Sequence, residues 1–174
     1  MLETIPQYPV LADLTREHKP AIDLALQETP AEVSELTFTN LYIWRHAYAA
    51  RVTRIGEVVC LFSWRPDPED SFVLPPLGSG AGVQHVVMCL DLLRSEGHAA
   101  RLCRVDEPTM ARLGITAGVF EITPDRDNWD YVYRVQDLID LPEVRYQDKR
   151  RHIERFTRKF GVEYRRITPE LVAM

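Results

Sequence analysis

The chain has 174 residues, of which 45% are apolar and 27% charged, and a formal net charge of -5. That length suits one domain with a sizeable core, and the composition excludes disordered, collagen-like and disulfide-scaffold chains. The acidic balance argues against a generally basic nucleic-acid binder.

An extended, proline-marked arm at Ile5 to Val10 leads through Thr15-Arg16-Glu17 into a short helix carrying Ile22, Leu24 and Leu26. That helix is expected to end before Pro30. From Glu32 to Ala50 there is no proline or glycine, and Leu41, Trp44 and Tyr48 recur at i, i+3 and i+7, which predicts a longer second helix. β-Branched and aromatic residues then dominate Val52 to Ile55, Val58 to Trp64 and Ser71 to Leu74, separated by Gly56-Glu57 and Pro66-Asp67-Pro68. These read as a three-stranded meander.

After the glycine-rich turn Gly78-Ser79-Gly80-Ala81-Gly82, Val83, Val86, Val87, Leu90 and Leu93 mark one face of a helix closed by Gly97. A strand over Ala99 to Val105, a short helix from Pro108 to Leu113 and a strand over Val119 to Ile122 follow. Next come the polar loop Asp125-Arg126-Asp127-Asn128, a strand from Tyr131 to Val135, a basic helix from Tyr146 to Phe160 and a strand from Val162 to Ile167. Helices, a meander, a long helix and interleaved strands predict an α/β (α+β) fold, a mixed sheet with helices on both faces. An acyltransferase of the GNAT type has this order, as do other three-layer sandwiches.

Charge is distributed unevenly. Between Arg145 and Arg166 nine Lys and Arg stand against three acids, a local +6 that leaves -11 for the remainder. Such a basic helix suits an anionic partner such as RNA phosphate, a lipid headgroup or a nucleotide. It equally suits a solvated face, or a helix docked on the acidic body of its own fold. Ile153, Phe156 and Phe160 fall at i, i+3 and i+7 and are expected to face the core, with Arg150, Arg151, Arg155 and Arg158 outward.

The glycine-rich turn between strand and helix offers backbone N–H groups to a phosphate. It lacks dinucleotide and P-loop spacing, however, and Pro75 and Leu77 stand where coenzyme-A-binding acetyltransferases carry Arg or Gln. A plain connection is the competing reading. His18, His46, His85, His98 and His152 are scattered without a ligand pair, so no metal is expected. There is no nucleophile elbow and no Cys-His signature, and no cofactor is indicated. The cluster Asp125 to Tyr133 suits either a general base or amine site or an Asx-type turn. Cys60, Cys89 and Cys103 are odd in number and unpaired by spacing, which predicts reduced thiols in a cytoplasmic protein. The start MLETIPQYP shows no signal peptide, and no apolar run is long enough to span a membrane.

Several segments taken together carry a resemblance. They are Ser34-Glu35-Leu36-Thr37-Phe38-Thr39-Asn40-Leu41-Tyr42-Ile43-Trp44-Arg45, Leu74-Pro75-Pro76-Leu77-Gly78, Asp125 to Tyr133, Asp137-Leu138-Ile139-Asp140-Leu141, and Tyr146-x-x-Lys149-Arg150-x-His152-Ile153-x-Arg155-Phe156. In this order they resemble the bacterial family related to the C-terminal catalytic domain of phosphatidylglycerol lysyltransferase. The match runs from Glu32 to Pro169. Where that family reads Tyr-His-Lys-Lys-Arg-Asn-His, this chain has Tyr146-Gln147-Asp148-Lys149-Arg150-Arg151-His152.

The resemblance implies a tandem GNAT-like acyltransferase architecture, with aminoacyl-tRNA as donor and a phospholipid headgroup as acceptor. Residues 1–145 are then expected to be the N-terminal lobe. Residues 146–174 would be the basic helix and strand that begin a second lobe, absent from this chain, so that this lobe packs against another such lobe or a homo-oligomer partner. The expected function is that of the N-terminal lobe of an acyl- or aminoacyltransferase acting on an anionic substrate, without a full active site of its own. Tyr146, Lys149, Arg150, His152 and Arg155 are the implied substrate contacts, and no catalytic residue is assigned. The alternative is a non-catalytic interaction domain whose basic helix docks a polyanion or partner protein.

Overall fold

A computed structural model describes residues 2–29, 32–161 and 163–172. The chain divides into two compact units, Met1–Asp130 and Tyr131–Met174.

The first unit is built on a four-stranded sheet of order β1-β2-β3-β4, formed by Ala12–Asp13, Ala50–Ile55, Val58–Ser63 and Phe72–Val73, with every ladder antiparallel. Ile55 pairs with Val58 across Gly56-Glu57, and Gly56 takes φ 62°. A two-residue hairpin turn needs such a left-handed residue, and glycine adopts it without strain. All six residues of β3 are buried, so the strand reads as a continuous apolar run because both its faces are covered.

Alternation along β3 divides the core. Val59 and Leu61 join Ile22, Ala25 and Phe38, contributed by α1 (Lys19–Glu28) and α2 (Phe38–Ile43). Val58, Cys60 and Phe62 join Val86, Cys89, Leu90 and Leu93 of α3 (Val83–Ser95), together with Leu113 of α4 (Glu107–Leu113). The expected α/β (α+β) layering, with helices on both faces of the sheet, is therefore present in this unit, but the sheet's ladders are antiparallel throughout rather than mixed as expected. Burial of apolar area, worth about 25 cal/mol per Å², is the main favourable contribution such clusters make.

Helix ends follow their local chemistry. Asp106 caps α4 by accepting the Thr109 N–H at 2.8 Å, and Gly114 closes the same helix at φ 73°. Gly97, at φ 79°, terminates α3, where the His98 N–H reaches the Leu93 carbonyl at 2.8 Å.

Five of the expected elements are corrected. The helix expected over 32–50 is confined to α2. The Thr37 hydroxyl caps its start, and the chain then turns through Ala49 (φ 45°) into β2, with the Ala50 N–H on the Arg45 carbonyl at 2.7 Å. The strand expected over 99–105 contributes a single parallel bridge, Leu102 to Val73, because Arg104 turns left-handed at φ 62° and ends the pairing. Residues 119–122 and 131–135 form no ladder despite their β-branched content, since β-propensity expresses itself only against a partner strand. The strand expected at 162–167 begins outside the described residues at Val162, and over 163–167 no strand is formed.

The second unit contains α5 (Val135–Asp140), α6 (Gln147–Lys159) and α7 (Pro169–Val172). The basic helix is present, but its apolar face is not inward as expected. Ile153, Phe156 and Phe160 are 55%, 54% and 48% exposed, and the two phenylalanine rings lean on each other at 5.0 Å. A unit of this size holds too little apolar material to close a core over them.

Candidate functional site

Helix α6 places four of the expected contacts on its surface and start. Lys149, His152 and Arg155 are exposed. Tyr146 is buried at the residue before the helix, with the Arg145 guanidinium 4.9 Å from its ring centre. Arg150 differs from the rest: its Nη1 donates to the carbonyl oxygens of Leu141 and, at 3.0 Å, Glu143. That guanidinium braces the turn into the helix and is only partly available to a ligand.

The surrounding ion pairs sort the basic residues further. Arg145 is satisfied by Asp137 at 3.1 Å and Glu143 at 3.0 Å, Arg165 by Glu163 at 2.7 Å, and Arg151 lies 3.6 Å from Asp148. Among the described residues Lys149, Arg155 and Arg158 have no acidic partner within 4 Å. At helical spacing Arg151, Arg155, Arg158 and Lys159 share the side opposite Ile153. This is a strip of solvated positive charge on a chain whose other residues carry a net negative charge.

The glycine-rich turn carries an anion of its own. The Ser79 N–H and hydroxyl both donate to the Glu28 carboxylate, at 3.1 and 3.2 Å, while the Gly78 N–H donates to the Thr29 hydroxyl at 3.3 Å. These donors, which a phosphate would need, tie the turn to the end of α1. His85 and His18 accept backbone N–H groups at helix starts, each at 3.1 Å, and the His98 ring lies tilted against Trp64, ring centres 4.4 Å apart. Among the described residues no group of His, Cys, Asp or Glu is arranged to hold a metal. Cys60 and Cys89 are buried free thiols, and the neighbouring Cys89 thiol together with burial raises the Cys60 pKa well above its ordinary value.

At 125–128 the chain forms a tight turn, with the Asn128 amide on both Asp125 carboxylate oxygens at 2.8 Å. The turn itself is closed by the backbone, Asn128 N–H on the Asp125 carbonyl at 3.2 Å, and no Asp125 side-chain bond to a backbone N–H makes it the expected Asx-type turn. Asp130, two residues after that turn, accepts the Ser34 N–H at 2.8 Å and its hydroxyl at 2.6 Å. These bonds from Ser34 hold the Asp130 carboxyl below its ordinary range.

The neighbouring residue Glu35 pairs with Arg104, whose guanidinium also lies 5.7 Å from the centre of the Phe72 ring. The pair stands at one end of a cleft between α2 and the sheet, whose other walls are Leu41, Trp44, Tyr48 and Phe72. The sequence pattern did not single out this cleft. Its one signal was a charge, Arg104, interrupting an apolar stretch.

The fold and the basic helix together define an α/β domain followed by an exposed cationic helix. The chain belongs to the family described as phosphatidylglycerol lysyltransferase, C-terminal, whose model matches residues 27–174. It is also similar to a crystal structure of a conserved protein of unknown function from Bacteroides thetaiotaomicron VPI-5482. The two share 26% identity at a TM-score of 0.69, over 94% of this chain and 55% of that one. This chain thus corresponds to about half the length of that protein. No curated protein matches it.

Proposed function

We propose that this chain is the N-terminal lobe of an acyl- or aminoacyltransferase of tandem GNAT-like architecture, acting on an anionic substrate, tRNA-borne or a phospholipid headgroup. In this reading residues 1–145 form the lobe and residues 146–174 lead into a second lobe of the same type or pack on a homo-oligomer partner. The setting is the cytoplasm, in keeping with the unpaired Cys60, Cys89 and Cys103.

The observation that carries the reading is the exposed positive charge of α6, where Lys149, Arg155 and Arg158 have no acidic partner among the described residues, in a chain whose family takes its name from a phosphatidylglycerol lysyltransferase. Acyl transfer to an amine or hydroxyl requires an oriented acceptor and stabilisation of the carbonyl oxygen, with no covalent nucleophile. Lys149, His152 and Arg155 would serve it by fixing phosphate groups, which sets position rather than sequence. Arg150 would hold the helix start, and Tyr146 would orient it from beneath. Packing against another lobe is supported by exposed apolar residues in the second unit, among them Val132, Val144 and Tyr164, at 91%, 83% and 93% exposure. No helix among the described residues is long and apolar enough to cross a membrane, so a lipid acceptor would be met at the surface.

The test is fluorescence anisotropy with labelled tRNA, alongside co-flotation with phosphatidylglycerol vesicles. The expected result is binding to at least one of them that weakens steeply between about 50 and 200 mM salt. No binding at the lower salt concentration, or binding indifferent to salt, would reject the anionic substrate.

A further inference from the structure

The cleft beside α2 lies wholly within residues 1–130 and stands apart from the reading of α6. It is open at its mouth, and the centre of a water-sized sphere can move through about 40 Å³ of it. Its lining is of the small-molecule kind, mostly apolar with a few placed polar groups. Leu41, Tyr48 and Phe72 are partly buried walls, and Trp44, 51% exposed, stands at the rim. An aromatic ring left half in water beside an apolar cleft gains burial when the cleft fills.

The polar end is built with care. The Arg104 and Glu35 side chains are only 12% and 22% exposed. A pair so far from water recovers its desolvation cost poorly, and an apolar pair of similar volume would serve stability as well. Arg104 also holds a left-handed backbone at φ 62°, costly for a residue with a Cβ, and its buried Nε has no acceptor among the described residues. Strain of this kind persists at ligand sites, where the surrounding structure over-determines it. The charge of Arg104 also reaches Asp130, whose carboxyl it helps keep ionised.

We propose that this cleft binds a free α-amino acid with an apolar side chain. Its carboxylate meets the Arg104 guanidinium, its ammonium meets Glu35, and its side chain lies between Tyr48, Phe72 and Trp44. Charge balance selects this class. A ligand bearing only a carboxylate is attracted by Arg104 and repelled by Glu35 and Asp130, and one bearing only an amine meets the reverse conflict at Arg104. A zwitterion presents both signs on adjacent atoms and lies across the pair without opening it. The apolar walls then reject polar side chains, which would lose their hydration unpaired.

Isothermal titration of the wild-type chain with L-leucine, L-phenylalanine, L-aspartate, N-acetyl-L-leucine and L-leucinamide tests this directly. Saturable binding of leucine or phenylalanine is expected, with each capped form and aspartate at least about tenfold weaker. Glu35→Gln should weaken leucine by a similar factor. Trp44→Phe should remove most of the ligand-induced change in tryptophan emission while calorimetric binding remains. Equal binding of the acetylated form or of the amide would overturn the zwitterion assignment. No heat with any free amino acid at about 10 mM would overturn the site. The ligand series uses the unmodified chain, so it decides between these outcomes even if Glu35→Gln fails to fold.

Discussion

Ser34 and Asp130 are joined by two hydrogen bonds across 96 positions of sequence, one from the backbone and one from the hydroxyl of the serine. The contact ties the segment before α2 to the end of the first unit, next to the Glu35–Arg104 pair. Since Ser34 donates to the ionised carboxylate, the folded Asp130 has a pKa below its ordinary 3.8. The stabilisation is therefore complete above that ordinary value and is lost as pH falls through the lower, folded one. Urea denaturation between pH 6 and 3 should show a larger acid loss of stability for the wild type than for Ser34→Ala. The two should differ by no more than about 1 kcal/mol, because the carboxylate is largely solvated. Parallel pH profiles for the two would mean the clamp contributes nothing.

Removing one member of the Arg104–Glu35 pair leaves the other desolvated and unpaired. Arg104→Ala should cost about 2 kcal/mol in chemical denaturation, and the double change with Glu35→Ala should cost less than the sum of the singles by about 1 kcal/mol. Additive losses would show that the two side chains do not act as a unit.

Asp106 caps α4 through the Thr109 N–H and accepts the Glu32 N–H at 3.2 Å through its second oxygen. Burial pushes its carboxyl up, and these bonds outweigh burial, so the net shift is downward. Asp106→Ala should lower stability by about 1 kcal/mol, a fall in Tm of about 2–4 °C for a chain of this size. Asp106→Asn should recover most of it.

In the core, Leu93 is fully buried on α3 between the sheet and α4. Leu93→Ala should cost about 3 kcal/mol, leaving a cavity that neighbouring side chains fill only in part. A loss below about 1 kcal/mol, measured by denaturant unfolding, would mean that the packing on that face is loose.

Periodicity and turn chemistry carried the local elements well. The β2–β3 hairpin around Gly56, the helix closed by Gly97 and the basic helix before Phe160 all follow from signals within a few residues. What failed depended on distant partners. Val119 to Ile122 and Tyr131 to Val135 have strand-forming residues and no strand to pair with, while Arg104 cut a promising strand to one bridge. The family likeness was legible in the ordered segments from Ser34 onward. The cleft was not, because Glu35, Trp44, Phe72 and Arg104 come together only through the fold. The reading of Ile153, Phe156 and Phe160 as core residues assumed that one unit buries every apolar stripe, and the second unit is too small to do so.

In the proposed function α6 meets phosphate through Lys149 and Arg155 while Arg150 serves the fold. The measurement that tests this most directly is the salt dependence of tRNA or phosphatidylglycerol-vesicle binding by the wild type and by Lys149→Ala/Arg155→Ala. Circular dichroism should show both proteins equally folded. The double variant should bind at least about tenfold more weakly, and for tRNA its plot of log affinity against log salt should be shallower by about 1.5. An unchanged affinity and slope in the folded double variant would contradict that role and leave the basic helix as a solvated face.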